Sequence, residues 1–278
     1  MRRPIITLTT DFGTRDSYVG AMKGVILDIA PDTTIVDVSH DVERHNIHEA
    51  AYILATASKF FPPHSIHIAV VDPGVGSARR PLVLCTPRGT YISPDNGTLT
   101  HVLNGFSQVN STTETGDTPA YARTPEGCVA YELDNPGFWL PRVTRTFHGR
   151  DIFAPSAAHL ANGVDVSDMG AAVESITCLP ESACYFDDGT VTGSVVHSDI
   201  YGNLITNIPS DALGNEPEIH VLGHTISGLS DSYQESVGGL MAIVGSQDTL
   251  EIAVGEGDAR TILNASVGDR VVVQRSRA

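Results

Sequence analysis

The chain has 278 residues, of which 41% are hydrophobic and 18% charged, so it can bury a sizeable core at a length where cores often divide into two domains. Its formal net charge is −16, from 33 acidic and 17 basic side chains. Such an acidic surface argues against nucleic acid and anionic membranes as partners, because both require a basic face. No stretch has the apolar run of a signal peptide or a membrane span, so we expect a cytoplasmic protein.

The first part of the chain alternates between strand-like and helix-like segments. Predicted strands cover 5–9, 34–38, 65–71, 82–86 and 90–93, and predicted helices cover 16–29, 47–61 and 152–162. In the first helix, Val19, Met22, Ile26 and Ile29 recur every three or four residues, which gives it one apolar face. The alternation predicts an α/β fold with a mainly parallel sheet that helices cover on both faces.

The pattern changes at about Asp187. Short β-rich runs follow at 190–197, 204–208, 218–226, 240–244, 249–254 and 270–274. Turn residues separate these runs about every ten positions, which predicts a small antiparallel barrel or sandwich. We place the boundary between Pro180 and Gly189, which gives an α/β domain at 1–183 and an all-β domain at 189–278.

Two segments carry charged side chains on turns that glycine and proline impose. Asp72-Pro73-Gly74-Val75-Gly76 follows an apolar strand and leads to Arg79-Arg80, and the second segment is Thr146-Phe147-His148-Gly149-Arg150-Asp151. Together they offer an acid, a guanidinium and an imidazole, which can orient and polarise a water molecule. Asp11 also follows a strand, where small ligands bind in α/β folds. The set indicates an active site.

Each of these residues also has a structural explanation. Asp11 could cap a loop or accept hydrogen bonds from a ribose diol, and the sequence favours neither. Asp72 precedes a proline, which fixes an extended exit from the strand, while the nearby glycines allow a ligand to approach. Spacing does not decide which of Arg79 and Arg80 enters the site. The sequence around His148 is as consistent with a buried, hydrogen-bonded core residue as with a residue of the site.

Other functional motifs are weak or missing in the sequence. It contains neither the GxGxxG of a dinucleotide fold nor the GxxxxGK[ST] phosphate loop. His45 and His48, with His40, Asp41 and Asp11 nearby in sequence, would suit a metal-dependent phosphohydrolase. No HExxH or similar spacing supports that site, so we favour histidines at a helix start or on a solvated face. The four cysteines form no CxxC pair, and we interpret them as reduced thiols.

Eight segments, in the expected order, resemble one family along its whole length. They are TTDFG (9–13), YVGAMKG (18–24), IVDVSHDV (35–42), VVDPGVGSARR (70–80), SPDNG (93–97), TFHGRDIFAP (146–155), DIYGN (199–203) and GSQDTLEIAV (245–254). The chain resembles the S-adenosyl-L-methionine (SAM) hydrolases that form adenosine, also called SAM hydroxide adenosyltransferases, which are related to fluorinase and chlorinase. The resemblance implies an α/β domain followed by a small antiparallel β-barrel domain.

The resemblance also implies which nucleophile is used. The hydroxide enzymes have an Asp-Arg-His set that matches Asp72, Arg79 and His148. In the halogenases, a tyrosine occupies the position of Asp72, and that of His148 is not histidine. Water must lose a proton as it attacks, and a carboxylate such as that of Asp72 can orient it or accept that proton. A halide has no proton to lose, and a carboxylate would repel it. The implied reaction is in-line attack of water or hydroxide on the ribose C5′ of SAM. Which residue is the base stays open, because a neighbouring arginine weakens Asp72 as a base and a neutral histidine suits physiological pH better.

The resemblance further implies a set of substrate-binding residues. Asp11 would hold the ribose hydroxyls, and Asp199 and Ser246 the methionine amino and carboxylate groups. Asn203 would meet the adenine edge, with Tyr201 beside the ring. Asp16 and Tyr18 are further candidates on the methionine side, although capping of a helix start explains Asp16 equally well. A family arginine next to the serine is Gln247 here, so the carboxylate contact at that position differs.

The family's site forms between subunits, so the resemblance implies a homotrimer with the site at the subunit interface. No metal or organic cofactor is expected, because SAM is the substrate. The alternatives are a SAM-dependent halogenase and a non-enzymatic nucleoside or SAM sensor, which would not need Asp72, Arg79 and His148 to converge.

Overall fold

The computed structural model describes residues 3–106, 120–180 and 183–275, in two units, Met1–Pro180 and Glu181–Ala278. The elements of the first unit are β1 (Ile5–Thr10), α1 (Tyr18–Ile29), β2 (Thr34–Ser39), α2 (Ile47–Ser58), β3 (Ile66–Val70), β4 (Pro81–Thr86), β5 (Gly89–Pro94), α3 (Thr100–Asn104), β6 (Ala120–Arg123), β7 (Val129–Glu132), α4 (Ala154–Ala161), β8 (Ala172–Val173) and β9 (Ser175–Cys178). Short 3₁₀ turns lie at Pro136–Phe138 and Val166–Met169.

The main sheet of the first unit is mixed. Its strand order is β2-β1-β3-β5-β4-β7-β8, and β6 pairs separately with β9. Strands β2, β1, β3 and β5 pair in parallel, whereas β5 with β4, β4 with β7 and β7 with β8 are antiparallel. The predicted α/β class with parallel strands is confirmed, and antiparallel strands extend the sheet beyond β5.

Helices cover both faces of this sheet. Met22 and Ile26 of α1 and Ala157 of α4 pack in one core with Leu8 of β1. On the opposite face, Leu54 of α2 joins a second core with residues of α3, β4 and β5. Burial of apolar side chains on both faces is what stabilises a parallel sheet.

The parallel strands end at one edge, and the candidate site residues follow them. Thr10, the last residue of β1, is in register with Val70 of β3, and Thr9 is in register with Ser39 of β2. The loops that carry Asp11 and Asp72 therefore leave the sheet side by side, at the edge where α/β folds bind ligands.

The second unit is an antiparallel sheet. Its elements are β10 (Tyr185–Asp187), β11 (Thr190–Ser198), β12 (Leu204–Pro209), β13 (Glu218–Val221), β14 (His224–Ser227), β15 (Leu240–Val244), β16 (Thr249–Val254), α5 (Ala259–Leu263) and β17 (Arg270–Gln274), with 3₁₀ turns at Ser210–Ala212 and Tyr233–Ser236. The strand order is β14-β13-β17-β11-β12-β16-β15, and β10 pairs with β11. The end strands β14 and β15 approach each other and nearly close a barrel. This confirms the predicted small antiparallel barrel.

Several predicted elements differ in detail, and the helix predicted at 47–61 ends at Ser58. The run 218–226 is a hairpin, because Leu222 and Gly223 adopt positive φ angles of 48° and 81° and turn the chain between β13 and β14. Helix α1 begins at Tyr18 rather than at residue 16. The helix predicted at 152–162 starts as a π-helical turn over Gly149–Phe153 and continues as α4. In the part of the chain that the structure describes, no helix is long and apolar enough to cross a bilayer.

His67 is a titratable group inside the first unit. It is 1% exposed on β3, its Nδ1 lies 2.8 Å from the Thr7 hydroxyl, and its ring stacks on Tyr91 at 4.9 Å. Burial lowers the pKa of His67 from 6.5 to about 4. The folded protein therefore holds this imidazole neutral at pH values where the unfolded chain protonates it.

We expect His67 to make the protein less stable as the pH falls from about 6.5 to about 4, and to add no further loss below that range. Between these values the unfolded chain binds a proton that the folded chain excludes, and the full effect is roughly 3 kcal/mol. The free energy of unfolding of wild type and His67→Asn, measured across this range, gives the slope that His67 contributes. The exposed His64→Asn on the preceding loop is the matched control. Parallel curves for wild type and His67→Asn would contradict the prediction.

Candidate active site

Asp72 and Arg79 form a buried ion pair in the loop between β3 and β4. Nε of Arg79 donates to Oδ1 of Asp72 at 3.0 Å, and Nη2 donates to Oδ2. The side chains are 5% and 10% exposed, respectively. The Arg79 guanidinium also lies 5.3 Å from the ring centre of the fully buried Phe153. A two-point pair between planar groups fixes both side chains in one orientation.

His148 joins this pair through the same guanidinium nitrogen. Nη2 of Arg79 lies 2.9 Å from Nδ1 of His148. Because a guanidinium only donates hydrogen bonds, Nδ1 must be the acceptor. We therefore assign neutral His148 as the tautomer that carries its proton on Nε2.

The surroundings of His148 disfavour its protonation. Burial and then the positive charge of Arg79 lower the pKa of His148 below its usual 6.5, and they outweigh the opposing effects of Asp72, Asp151 and the Thr144 carbonyl. The structure thus brings the predicted residues Asp72, Arg79 and His148 into direct contact.

Two close approaches hold the loops of this cluster together. Gly76 has a φ of +75°, and a Cβ atom there would lie 2.2 Å from the carbonyl oxygen of Arg145. Glycine therefore allows the Asp72–Arg79 loop to pack against the chain that leads to His148. Beyond His148, the fully buried Asp151 accepts hydrogen bonds from the Thr144 backbone at 2.7 Å and hydroxyl at 2.6 Å, and from Arg150 at 2.6 Å. The sequence analysis did not predict that Gly76 and Asp151 fix the packing of these loops.

Arg80 lies outside the cluster. Its guanidinium donates to Asp95 at 2.9 and 2.6 Å and to the Ser175 carbonyl at 2.9 Å. It thereby ties β4 to the loop after β5 and to β9. The structure therefore places Arg79, and not Arg80, in the site.

The Asp11 loop lies beside the His148 loop. Oδ2 of Asp11 accepts a hydrogen bond from the backbone of His45 at 3.0 Å. The rings of Phe12, Tyr18 and Phe147 have centres 5.2–5.8 Å apart and pack edge to face or tilted. Since Phe12 follows Asp11 and Phe147 precedes His148, this aromatic trio holds the two loops next to each other.

Asp16 and Tyr18 line two different pockets. Asp16 borders a pocket of about 580 Å³ with Lys23, Asp37 and His40. Tyr18 borders one of about 370 Å³ with Phe147, Arg150 and other residues. The N-cap of α1 is Ser17 and has no side-chain cap bond, so capping does not account for Asp16.

Asp199 organises the turn between β11 and β12 in the second unit. Its Oδ1 accepts from the backbone of Tyr201 and of Asn203, both at 2.9 Å, and its Oδ2 accepts from the Asn203 amide at 3.0 Å. Asn203 is buried and Tyr201 is 74% exposed. Gly202 has a φ of +80° and a Cβ there would lie 2.1 Å from Asp258, the N-cap of α5. The predicted residues Asp199, Tyr201 and Asn203 therefore form one rigid turn.

Ser246 is exposed in the tight turn between β15 and β16, next to the half-buried Gln247. An acid that sequence reasoning missed lies near this turn. Glu251 is 6% exposed and accepts a hydrogen bond from the Tyr233 hydroxyl at 2.6 Å. Its Oε2 lies so close to Gly245 that a Cβ atom there would be 2.5 Å from it. Burial, and then the charge of Asp199, raise the pKa of Glu251 against the effect of Tyr233. Its position in an apolar strand gave no sign of this environment.

The two units thus contain different parts of the predicted set. Asp11, Asp16, Tyr18, Asp72, Arg79 and His148 belong to the first unit, and Asp199, Tyr201, Asn203 and Ser246 to the second. Across the described ranges 3–106, 120–180 and 183–275, no group of three or more His, Cys, Asp or Glu side chains is arranged to hold a metal. His45 and His48, the metal-ligand candidates from the sequence, therefore belong to no such group in these ranges.

The fold and the Asp72–Arg79–His148 cluster are typical of an α/β enzyme with a small β-barrel domain. Family models show which family the chain belongs to. The N-terminal domain model of the SAM hydroxide adenosyltransferases matches residues 6–170, and the C-terminal domain model matches residues 193–272. The chain belongs to the SAM hydroxide adenosyltransferase family.

Individual relatives agree with this assignment. The chain is 33% identical over 273 residues to the (R)-S-adenosyl-L-methionine hydrolase of Salinispora arenicola, with 97% of both chains covered. It is 29% identical over 238 residues to the fluorinase of Actinopolyspora mzabensis, with 76% of this chain and 73% of the fluorinase covered. A crystal structure of an uncharacterised conserved protein from Thermotoga maritima superimposes with a TM-score of 0.85 at 31% identity, covering 97% of this chain and 100% of the other.

We expect Gly76→Ala to destabilise the protein by roughly 3 kcal/mol, because it combines a left-handed backbone with a clash against a carbonyl oxygen. Gly74→Ala is the matched control in the same loop, since a Cβ there meets its nearest neighbours at 3.5 Å, an ordinary contact. Denaturant unfolding of both variants measures the difference. Equal stabilities for the two variants would show that Gly76 is not needed for the loops to pack.

Proposed function

We propose that the protein hydrolyses SAM to adenosine and L-methionine by in-line attack of water on the ribose C5′. The observation that supports this most directly is the single guanidinium nitrogen of Arg79 that contacts both Asp72 and His148 in a buried cluster. The names of the full-length relatives agree with the same reaction.

The reaction needs little chemistry from the protein. The oxygen of water forms a bond to C5′ as the C5′–S bond breaks, and the bonding pair leaves with sulfur as neutral methionine. The sulfonium is a good leaving group because its departure removes a positive charge, so no acid is needed there. One water proton must be accepted. The protein therefore has to position the water, align it with the C5′–S bond and take that proton.

The geometry favours Asp72 as the proton acceptor. Nδ1 of His148 faces Arg79 and cannot take a proton without losing that hydrogen bond. Nε2 carries the proton of the neutral ring, so it cannot accept one from the water. Each carboxylate oxygen of Asp72 has a second lone pair beside the one that Arg79 uses. Arg79 would stabilise the negative charge that develops on the attacking oxygen.

The substrate-binding roles follow the resemblance. Asp11 would accept hydrogen bonds from the ribose hydroxyls. The methionine end would meet Asp16, Tyr18, Asp199 and Ser246, and the adenine would meet Asn203 and Tyr201. SAM carries an ammonium and a sulfonium group, which suits this acid-rich set.

We further propose a cytoplasmic homotrimer that uses neither metal nor organic cofactor, with the site at the subunit interface. Ile200 and Tyr201 are 92% and 74% exposed in the described chain, and neighbouring large apolar side chains of this kind are typical of a surface that another subunit covers.

Incubation in oxygen-18 water, followed by mass spectrometry, tests the reaction. The two epimers at the sulfonium centre should be supplied separately, because the relatives are named for the (R) form. The expected products are methionine and adenosine that carries oxygen-18 at the 5′ position. A parallel incubation with chloride or fluoride that gave a 5′-halo-adenosine would assign the protein to the halogenase branch. Substrate that stays intact but bound would favour a sensor.

We expect Arg79→Lys to lower kcat on the order of a hundredfold or more, because an ammonium cannot make the two-point contact with Asp72 and also donate to His148. Arg80→Lys is the matched control. It loses contacts to Asp95 and Ser175, so it should reduce stability and leave kcat nearly unchanged. Steady-state kinetics and thermal unfolding of both variants separate the two effects. Similar kcat losses in both would contradict the assignment of Arg79.

We expect kcat/KM to stay high as the pH falls to 6.5 and to decline only below it. The lowered pKa of His148 keeps the ring neutral in that range, and protonation would place a second donor against the Arg79 guanidinium. The pH profile of kcat/KM, recorded for wild type and for His148→Asn, measures the decline that His148 causes. An acid limb with its midpoint above 6.5 would contradict the assigned environment.

A further inference from the structure

A chain of polar side chains leads to the Asp11 loop and has no assigned role in the reaction described above. It is buried at Thr10 and His40 and reaches the surface at Asp37, whose side chain is 43% exposed. Oγ1 of Thr10 lies 2.8 Å from Nδ1 of His40. Nε2 of His40 lies 3.1 Å from Oδ1 of Asp37, a close approach that is not a well-aligned hydrogen bond. Oδ2 of Asp37 accepts from Lys23 at 2.6 Å. We name Thr10, His40 and Asp37 the Thr10–His40–Asp37 chain.

The order of hydrogen bonds along this chain can be assigned. The backbone N–H of Phe12 donates to Oγ1 of Thr10 at 3.3 Å. The Asp37 carboxylate beside Nε2 of His40 can only accept, which assigns the ring proton to Nε2 and leaves Nδ1 to accept from the Thr10 hydroxyl.

A hydroxyl, an imidazole and a carboxylate in this order resemble the parts of a nucleophilic triad, but burial excludes that function. Thr10 is 0% exposed and His40 is 6% exposed, so no substrate can reach the hydroxyl. The Thr10–His40–Asp37 chain can therefore influence the site only through the backbone to which it is hydrogen-bonded.

That backbone is the Asp11 loop. Besides the Phe12 contact, the Gly13 N–H donates to the His40 carbonyl at 2.7 Å. The loop after β2 also supplies His45, which adopts a φ of +65° and donates its N–H to the Asp11 carboxylate at 3.0 Å. A non-glycine residue in that region is strained and persists only where its surroundings fix it. The side chain and carbonyl of His40 thus hold the loop on both sides of Asp11.

We propose that the Thr10–His40–Asp37 chain is a positioning device, which orients the Asp11 carboxylate for a ribose diol. The inference rests on the proposed function for the role of Asp11 as a ribose ligand. Adenosine, a product of the proposed reaction, contains that diol and no sulfonium, so its binding can be measured without turnover.

The test is a double-mutant cycle with the dissociation constant of adenosine as the readout. Thr10→Val removes the hydroxyl with little change in shape, and we expect it to weaken adenosine binding on the order of tenfold. Thr10→Ser restores the hydroxyl and should recover most of that loss. Thr9→Val is the matched control, because Thr9 is equally buried on the same strand and its hydroxyl has no hydrogen-bond partner. It should bind adenosine as wild type does.

The cycle distinguishes positioning from general damage to the fold. If Thr10 acts through Asp11, Thr10→Val should cost little more in an Asp11→Ala background than Asp11→Ala costs alone. Should Thr10→Val not fold, His40→Gln severs the same link from the other side, because its amide reaches toward Asp37 and away from Thr10. Losses that multiply in the double variant, or equal losses from Thr9→Val and Thr10→Val, would overturn the proposal. Wild type that binds adenosine without hydrolysing SAM would overturn the proposed function and leave the cycle valid.

Discussion

The site depends on one guanidinium that donates to two partners. Arg79 uses Nε and Nη2 for Asp72, and Nη2 also for His148. Because Arg cannot accept a hydrogen bond, this contact decides the tautomer of His148 and with it the direction in which the imidazole can act. In the proposed reaction, Asp72 is then the group that takes the proton from water. Burial strengthens these interactions, since little water competes for the charges.

The fold supplies this arrangement through the parallel part of its sheet. Strands β1, β2 and β3 end at one edge, so the loops with His40 and Asp72 start on either side of the loop with Asp11. Gly76, Asp151 and the aromatic trio then fix how the loops pack. In the second unit, Gly202 and the hydrogen bonds of Asp199 make the turn 199–203 rigid. Both units place polar side chains on loops that packed elements hold in position.

Local sequence patterns predicted most of the strands and helices. They did not predict the contacts between segments that are distant in the sequence. The elements from β1 to β3 follow apolar periods that a short window contains. In the antiparallel part of the sheet, β4 and β5 form a local hairpin, but the pairing of β4 with β7, of β7 with β8 and of β6 with β9 joins distant segments. Arg79 and Arg80 are chemically identical neighbours, and which one enters the site is decided by the course of the chain at the start of β4. Glu251 looked like an ordinary strand residue because its hydrogen-bond partner Tyr233 is 18 residues away in sequence.

The most direct test of the account is the protonation state of His148, observed by ¹⁵N NMR with labelled histidine and assigned through the His148→Asn variant. We predict a neutral ring at pH 7 with its proton on Nε2, and a change in that signal in Arg79→Lys. An imidazolium at pH 7, or a neutral ring with its proton on Nδ1, would contradict the contact between Arg79 and His148 and the assignment of Asp72 as the proton acceptor.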